Sequence, residues 1–98
     1  MTSEVEVEIK YYAMLRDKAG RKTEVVTLPP KSSVRDLVDT LIERYGDEFA
    51  NYIYDGEKRV RDYLSFMLNG INVNSLEGFG TVLEDGDTFS MLPPIGGG

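Results

Sequence analysis

Residues 33–46 read SVRDLVDTLIERYG, and this stretch decides what kind of fold the chain builds. Val34, Leu37, Val38, Leu41, Ile42 and Tyr45 recur at the spacing of one face of an α-helix, while Arg35, Asp36, Asp39, Glu43 and Arg44 fall on the other. Ser32 or Ser33 caps its start, and Asp36, three residues after Ser33, approximates a capping box. Gly46 ends it. Such a helix covers one apolar face only, so it requires a partner layer.

The flanking segments supply that layer. Val5, Val7, Ile9 and Tyr11 alternate with Glu6, Glu8 and Lys10 over residues 5–12, the period of a half-buried strand. RDKAGRK at 16–22 reads as a polar turn with Gly20 in the left-handed conformation. TEVVTL at 23–28 reads as the return strand of a hairpin, ended by Pro29 and Pro30. Past the helix, 47–61 mixes aromatic and charged residues and predicts only a short helical turn and a loop. LSFMLNGINV at 64–73 places Asn69-Gly70, the type I′ pair, between apolar runs, which predicts a second hairpin with a short return strand. A glycine-containing connector with the turn Glu84-Asp85-Gly86-Asp87 leads to a last strand, TFSML. If the strand before the helix and the strand after it run parallel, a right-handed crossover joins them. One helix across one face of a mixed sheet is a two-layer α+β arrangement.

Composition narrows the chemistry. The 98 residues predict a single domain. They include no Cys and no His, which removes disulfides, thiolate nucleophiles, Cys/His zinc sites and imidazole bases together. Carboxylates and Lys remain, but no close carboxylate pair stands out. A net charge of −6 repels phosphate backbones and anionic lipid, so neither nucleic acid nor membrane is an expected partner, and a basic protein surface is. With no apolar signal core and no spanning stretch, the chain is expected in the cytoplasm.

The end of the chain, Leu92 to Gly98, reads LPPIGGG. Gly gives up the most backbone entropy when fixed, and Pro cannot donate to a ladder, so 1–92 is expected to form the domain and 93–98 a flexible tail. The tail is either a frayed end or a working group presented by bare backbone.

Taken together, the opening strand running into Tyr-Tyr-Ala and LRDKAG, the MLNG and EDGD turns, and the closing PPIGGG resemble the ubiquitin-like β-grasp sulfur carriers and modifiers. The chain is similar to the small subunit of molybdopterin synthase (MoaD) and the archaeal small modifier proteins (SAMP), and less so to the thiamine-pathway carrier (ThiS). Lys18 stands where that family commonly has Leu, and three glycines stand where it has two. The resemblance implies a chain without catalytic residues and without a bound cofactor, monomeric when free. It implies a partner, an adenylating enzyme of the ubiquitin-activating type, that uses ATP and Mg to activate the Gly98 carboxylate. The activated end becomes a thiocarboxylate or is joined to target-protein lysines. Gly96 and Gly97 thread a narrow tunnel, and Pro93 and Pro94 hold the base of the tail extended. Two other readings stay open: the small subunit of molybdopterin synthase bound to its large subunit, and a non-catalytic β-grasp interaction module with an inert tail.

Alternation also suggests a docking surface. If Tyr11, Phe66, Leu68 and Met91 face inward, Tyr12, Met67 and Leu92 face outward, beside the tail. EDGD reads as a plain turn, Met14, Met67 and Met91 more as core than as surface, and Arg16 and Lys18 as solvated charges.

Overall fold

The amphipathic helix of the sequence is the longest element of a computed structural model that describes residues 4–57, 59–61 and 64–92. In chain order the elements are β1 (Val5–Tyr11), α1 (Ala13–Ala19), β2 (Thr23–Leu28), α2 (Val34–Tyr45), α3 (Asp47–Ile53), β3 (Ser65–Leu68), β4 (Ile71–Asn72) and β5 (Thr88–Leu92), with two short 3₁₀ turns between β4 and β5. The strands form one sheet in the order β2-β1-β5-β3-β4. Only β1 and β5 run parallel; the other neighbours are antiparallel. The fold is a β-grasp, a mixed five-stranded sheet with α2 as the main helix on one face.

Helix α2 starts on a full capping box: the Ser33 hydroxyl accepts from the Asp36 N–H at 3.2 Å, and the Asp36 carboxylate accepts from the Ser33 N–H at 2.9 Å. That satisfies two donors that the first turn leaves without intrahelical partners. Val34, Leu37, Val38 and Leu41 are fully buried against Val7, Ile9, Phe89 and Met91 of the sheet, in one core that also takes Phe49 and Ile53 of α3. The strand alternation is as strict as the sequence suggests, since every odd-numbered residue of β1 is buried.

One segment departs from the sequence reading. The stretch read as a polar turn holds α1 instead, although β1 and β2 do pair as expected. Its residues are good helix formers, and Leu15 and Ala19, one turn apart, reach the core. Gly20 is left-handed as expected, at φ 75°, but as the helix C-cap. Seven residues are too few for a period to register. The strands before and after α2 do run parallel, β2 antiparallel to β1 and β3 antiparallel to β5, so α2 lies in a crossover between them that passes over the two central strands β1 and β5. Met14 is exposed rather than core, whereas Met91 is buried.

Turn chemistry follows the sequence closely. Asn69 and Gly70 take φ of 53° and 83°, both positive as a type I′ turn demands, and join β3 to the two-residue β4. In the EDGD turn Gly86 has φ 89°, the Asp87 carboxylate accepts from the Glu84 N–H at 2.8 Å, and Asp85 accepts from the Glu6 N–H of β1 at 2.8 Å.

Because Leu41 is fully buried on the α2 face, Leu41→Ala is expected to cost about 2–5 kcal/mol, read from the shift of the urea midpoint at unchanged slope. A negligible shift would mean that α2 does not pack on the sheet in this phase.

Candidate functional site

The site is the end of the sheet where β5 finishes. In the parallel register Glu8 faces Thr88, Lys10 faces Ser90 and Tyr11 faces Met91, so Tyr12 follows beside Leu92. On the other side β3 places Ser65 opposite Leu92 and Met67 opposite Ser90. Tyr12 is 40% exposed, and Met67 and Leu92 are half-buried on the face that carries no helix, while Tyr11, Phe66, Leu68 and Met91 are buried beneath α2 and α3. Tyr12 and Leu92 therefore stand together at the end of β5, and Met67 lies on the same face opposite Ser90, in the middle of that strand. The tail residues Pro93, Pro94, Gly96, Gly97 and Gly98 lie outside the described residues.

One cluster fixes this end from within. Glu24 of β2 is buried, and its carboxylate accepts from the Tyr11 and Tyr45 hydroxyls and from the Arg44 guanidinium, the last at 2.5 Å. Arg21 stands 3.9 Å away. The cluster thereby ties β1, β2 and the last turn of α2 together through Tyr11, the residue before Tyr12. Tyr11, Tyr45 and Phe49 add edge-on and tilted ring contacts with centroids 5.4–6.3 Å apart. Burial works against the charge on Glu24, but the three donors outweigh it, and the carboxyl titrates below its ordinary range. The same burial, reinforced by the Glu24 charge, pushes the Tyr11 and Tyr45 hydroxyls up and keeps them protonated donors.

Sequence reasoning missed a second feature. Lys10, Arg16 and Lys22 line one cleft with Tyr12 and Thr23, so three cations converge where β1 ends and β2 begins, around Tyr12, in a chain of net charge −6. Strand alternation turns Lys10 outward. The contribution of Arg16 depends on α1, which turns what reads as a solvated loop charge toward the sheet. Lys18 differs from its reading as well: only 21% of its side chain is exposed, along the seam between α1 and α3, and its ammonium reaches Glu48 at 3.7 Å. A long aliphatic stem covers apolar surface there while the charge stays at the rim.

Among the described residues no group of three or more His, Cys, Asp or Glu is placed to hold a metal ion, and no helix is long and apolar enough to cross a membrane.

Comparison with known proteins gives consistent relatives. Residues 9–98 match the ThiS family model. Small archaeal modifier protein 3 of Haloferax volcanii is 32% identical over 96% of this chain and its own full length. The molybdopterin synthase sulfur carrier subunit of Drosophila erecta is 30% identical, covering 96% of this chain and 92% of its own. The solution structure of small archaeal modifier protein 1 from Methanosarcina acetivorans superposes with a TM-score of 0.79 at 28% identity, covering 98% of this chain and 99% of its own.

The depressed Glu24 pKa has a defined sign. Stability from this group is present above the unfolded-state pKa of about 4.3 and is lost as pH falls through the lower folded-state value. Glu24→Gln is expected to cost about 1–3 kcal/mol at neutral pH, where the Arg44 charge and the tyrosine donors lose their carboxylate. Urea denaturation across the acid range should show the gap between variant and parent closing as Glu24 protonates. A gap independent of pH would show that the charge is not what holds the cluster.

Proposed function

The chain belongs to the ThiS family of ubiquitin-like proteins, and from that premise we propose that it is a carrier whose C-terminal glycine carboxylate is activated by a partner adenylating enzyme. It acts as the protein substrate of that enzyme and supplies no catalytic residue. The observation that carries the reading is the position of β5: this last strand lies at the centre of the sheet, parallel to β1, and finishes at Leu92 beside exposed Tyr12, six residues before Gly98.

The chemistry follows from the carboxylate. An α-carboxyl with a pKa near 3.3–3.7 is an anion at neutral pH, able to attack phosphorus but a poor electrophile itself. One Gly98 oxygen attacks the α-phosphorus of ATP held with Mg by the partner; pyrophosphate leaves and an acyl adenylate forms. A hydrosulfide-level sulfur then attacks the acyl carbon, the acyl–phosphate bond breaks with AMP leaving, and loss of the sulfur's proton gives a thiocarboxylate. Alternatively a lysine amine displaces AMP, loses a proton and forms an isopeptide bond. Gly96, Gly97 and Gly98 carry no Cβ, which suits passage through a tunnel fitted to bare backbone, and Pro93 and Pro94 restrict the base of the tail and lower the ordering entropy on docking.

Tyr12, Met67 and Leu92 supply the docking surface in this proposal, with Lys10, Arg16 and Lys22 as a cationic rim. That rim suits an acidic loop of the partner, whereas the overall charge had suggested a basic one. A second reading draws on the likeness to the molybdopterin synthase sulfur carrier subunit: the thiocarboxylate end completes the active site of a larger synthase subunit. A stable heteromer recovered with that subunit favours it; glycine remnants on the lysines of many proteins favour the modifier.

Two outcomes test the proposal. Deleting Gly97 and Gly98 should move the unfolding free energy by no more than about 0.5 kcal/mol. It should abolish ATP–pyrophosphate exchange with the cognate activating enzyme, because the new carboxylate stops about 7 Å short of its place. Gly97→Val should fail in the same assay at full length through its branched Cβ. Exchange at the parental rate by the truncated chain would overturn the carrier reading. Separately, Tyr12→Asp should leave the denaturation midpoint nearly unchanged while weakening calorimetric binding to the activating enzyme at least tenfold; unchanged affinity would remove Tyr12 from the interface.

A further inference from the structure

We propose that the outer edge of β2 pairs with β2 of a second copy of this chain, antiparallel about a two-fold axis at Val25. The sheet has two edges, and the other one, β4, is two residues long. In β2 the Tyr11 N–H donates to the Lys22 carbonyl at 2.8 Å, so the groups of residues 22, 24, 26 and 28 turn toward β1. Those of Thr23, Val25 and Thr27 turn outward, and no described residue hydrogen-bonds them.

Natural edge strands are commonly blunted by Pro, Lys, a bulge or an inward charge. The register from Val5↔Leu28 to Lys10↔Thr23 is unbroken, and no Pro or Lys interrupts residues 23–28. The inward charge of the strand, Glu24, already has its partners in Tyr11, Tyr45 and Arg44. The edge is instead lined by β-branched side chains, with Val25 59% exposed between Thr23 and Thr27.

The order of groups along the edge selects the occupant. Thr-Val-Thr at the outward positions is palindromic, so a two-fold axis at Val25 places Val25 opposite Val25 and Thr23 opposite Thr27 of the second copy. All three pairs are then of the hydrogen-bonded kind, each exchanging two bonds. The charges agree with the same symmetry. One end of the edge carries Arg21 and Lys22, and Arg44 lies close by, the two arginine side chains keeping 56% and 46% of their exposure. The other end opens on a cleft lined by Leu28, Pro29 and Lys31 together with Asp36, Asp39 and Glu43, where the three carboxylates outnumber the single cation. Antiparallel pairing brings the cationic end of each copy to the acidic end of the other. The net charge of −6 per copy opposes association at low ionic strength, so the surface works at physiological salt, where screening acts within about 8 Å. The monomer expected from sequence is on this view in equilibrium with a dimer that leaves β5 uncovered in both copies.

The absence of Cys makes the register directly testable, because one introduced thiol is the only one. With Cα atoms of a hydrogen-bonded pair about 5.5 Å apart, Val25→Cys should form a disulfide-linked dimer on mild oxidation. Thr27→Cys is offset from its own copy by four residues, about 13 Å, and should stay monomeric under the same conditions. Sedimentation equilibrium of the parent chain at physiological salt should show a monomer–dimer equilibrium, and Val25→Lys, which sets two like charges on the axis, should weaken it at least tenfold while remaining folded by circular dichroism. A parent that stays monomeric up to millimolar concentration overturns the proposal, including the case where the edge instead receives an extended peptide of another protein. Equal crosslinking of Val25→Cys and Thr27→Cys overturns it as well.

Discussion

The parallel pairing of β1 with β5 is the contact on which the rest of the structure depends. It joins strands from opposite ends of the chain, Glu8 with Thr88 and Tyr11 with Met91, and places both at the middle of the sheet. Without it the sheet would fall into a β1–β2 hairpin, marginal by itself, and a separate three-stranded piece, β5-β3-β4. With it, Val7, Ile9, Phe89 and Met91 form a continuous apolar floor for α2 and α3. Two strands so far apart in sequence have no short turn to set their register, and that task falls to side chains and loops. The EDGD turn hydrogen-bonds the backbone of Glu6, and Glu8 donates to the Asp87 carbonyl at 2.9 Å, so the start of β5 is held in register with β1.

At the opposite end of that pair the constraint is electrostatic. The buried carboxylate of Glu24 gains little unless all its donors are in place, since an unpaired charge there would cost several kcal/mol. Tyr11, Tyr45 and Arg44 come from β1 and α2, so the cluster forms only when helix and sheet are correctly set. The aromatic rings of Tyr11, Tyr45 and Phe49 pack around it and keep it dry. Tyr12 follows cluster member Tyr11 and is the N-cap residue of α1, so its exposed position is held between a strand and a helix rather than on a loop.

These two constraints divide the molecule by task. The face under α2 and α3 holds the core, while the opposite face and the end of β5 carry the exposed Tyr12 and the half-buried Met67 and Leu92. A carrier has to offer its last residues to another protein without loosening its own fold, and a final strand gripped on both sides by β1 and β3 meets that need. The cations gathered at Lys10, Arg16 and Lys22 give the same end a charge opposite to that of the chain as a whole.

Much of this was fixed by local pattern. The 3.6-residue period of α2 with its Ser33–Asp36 cap, the alternation of β1, the Asn69-Gly70 turn and the EDGD turn all follow from residue type and spacing, because each depends on neighbours within a few positions. The outward placement of Tyr12 followed from the same alternation, as did the paired arrangement of β1 and β2. Helix α1 was not legible, since seven residues of mixed polarity look like a turn until Leu15 and Ala19 find the core. The phase of β2 was not legible either: TEVVTL alternates Thr-Val-Thr with Glu-Val-Leu, and hydrophobicity alone gives no reason to bury a glutamate and expose Val25. That choice was made by the tertiary structure, which brings two tyrosine hydroxyls and an arginine from other elements to Glu24. The cationic cleft around Tyr12 was decided in the same way, because period and propensity act along the chain, whereas charge pairing and desolvation act between groups that only the folded sheet brings together.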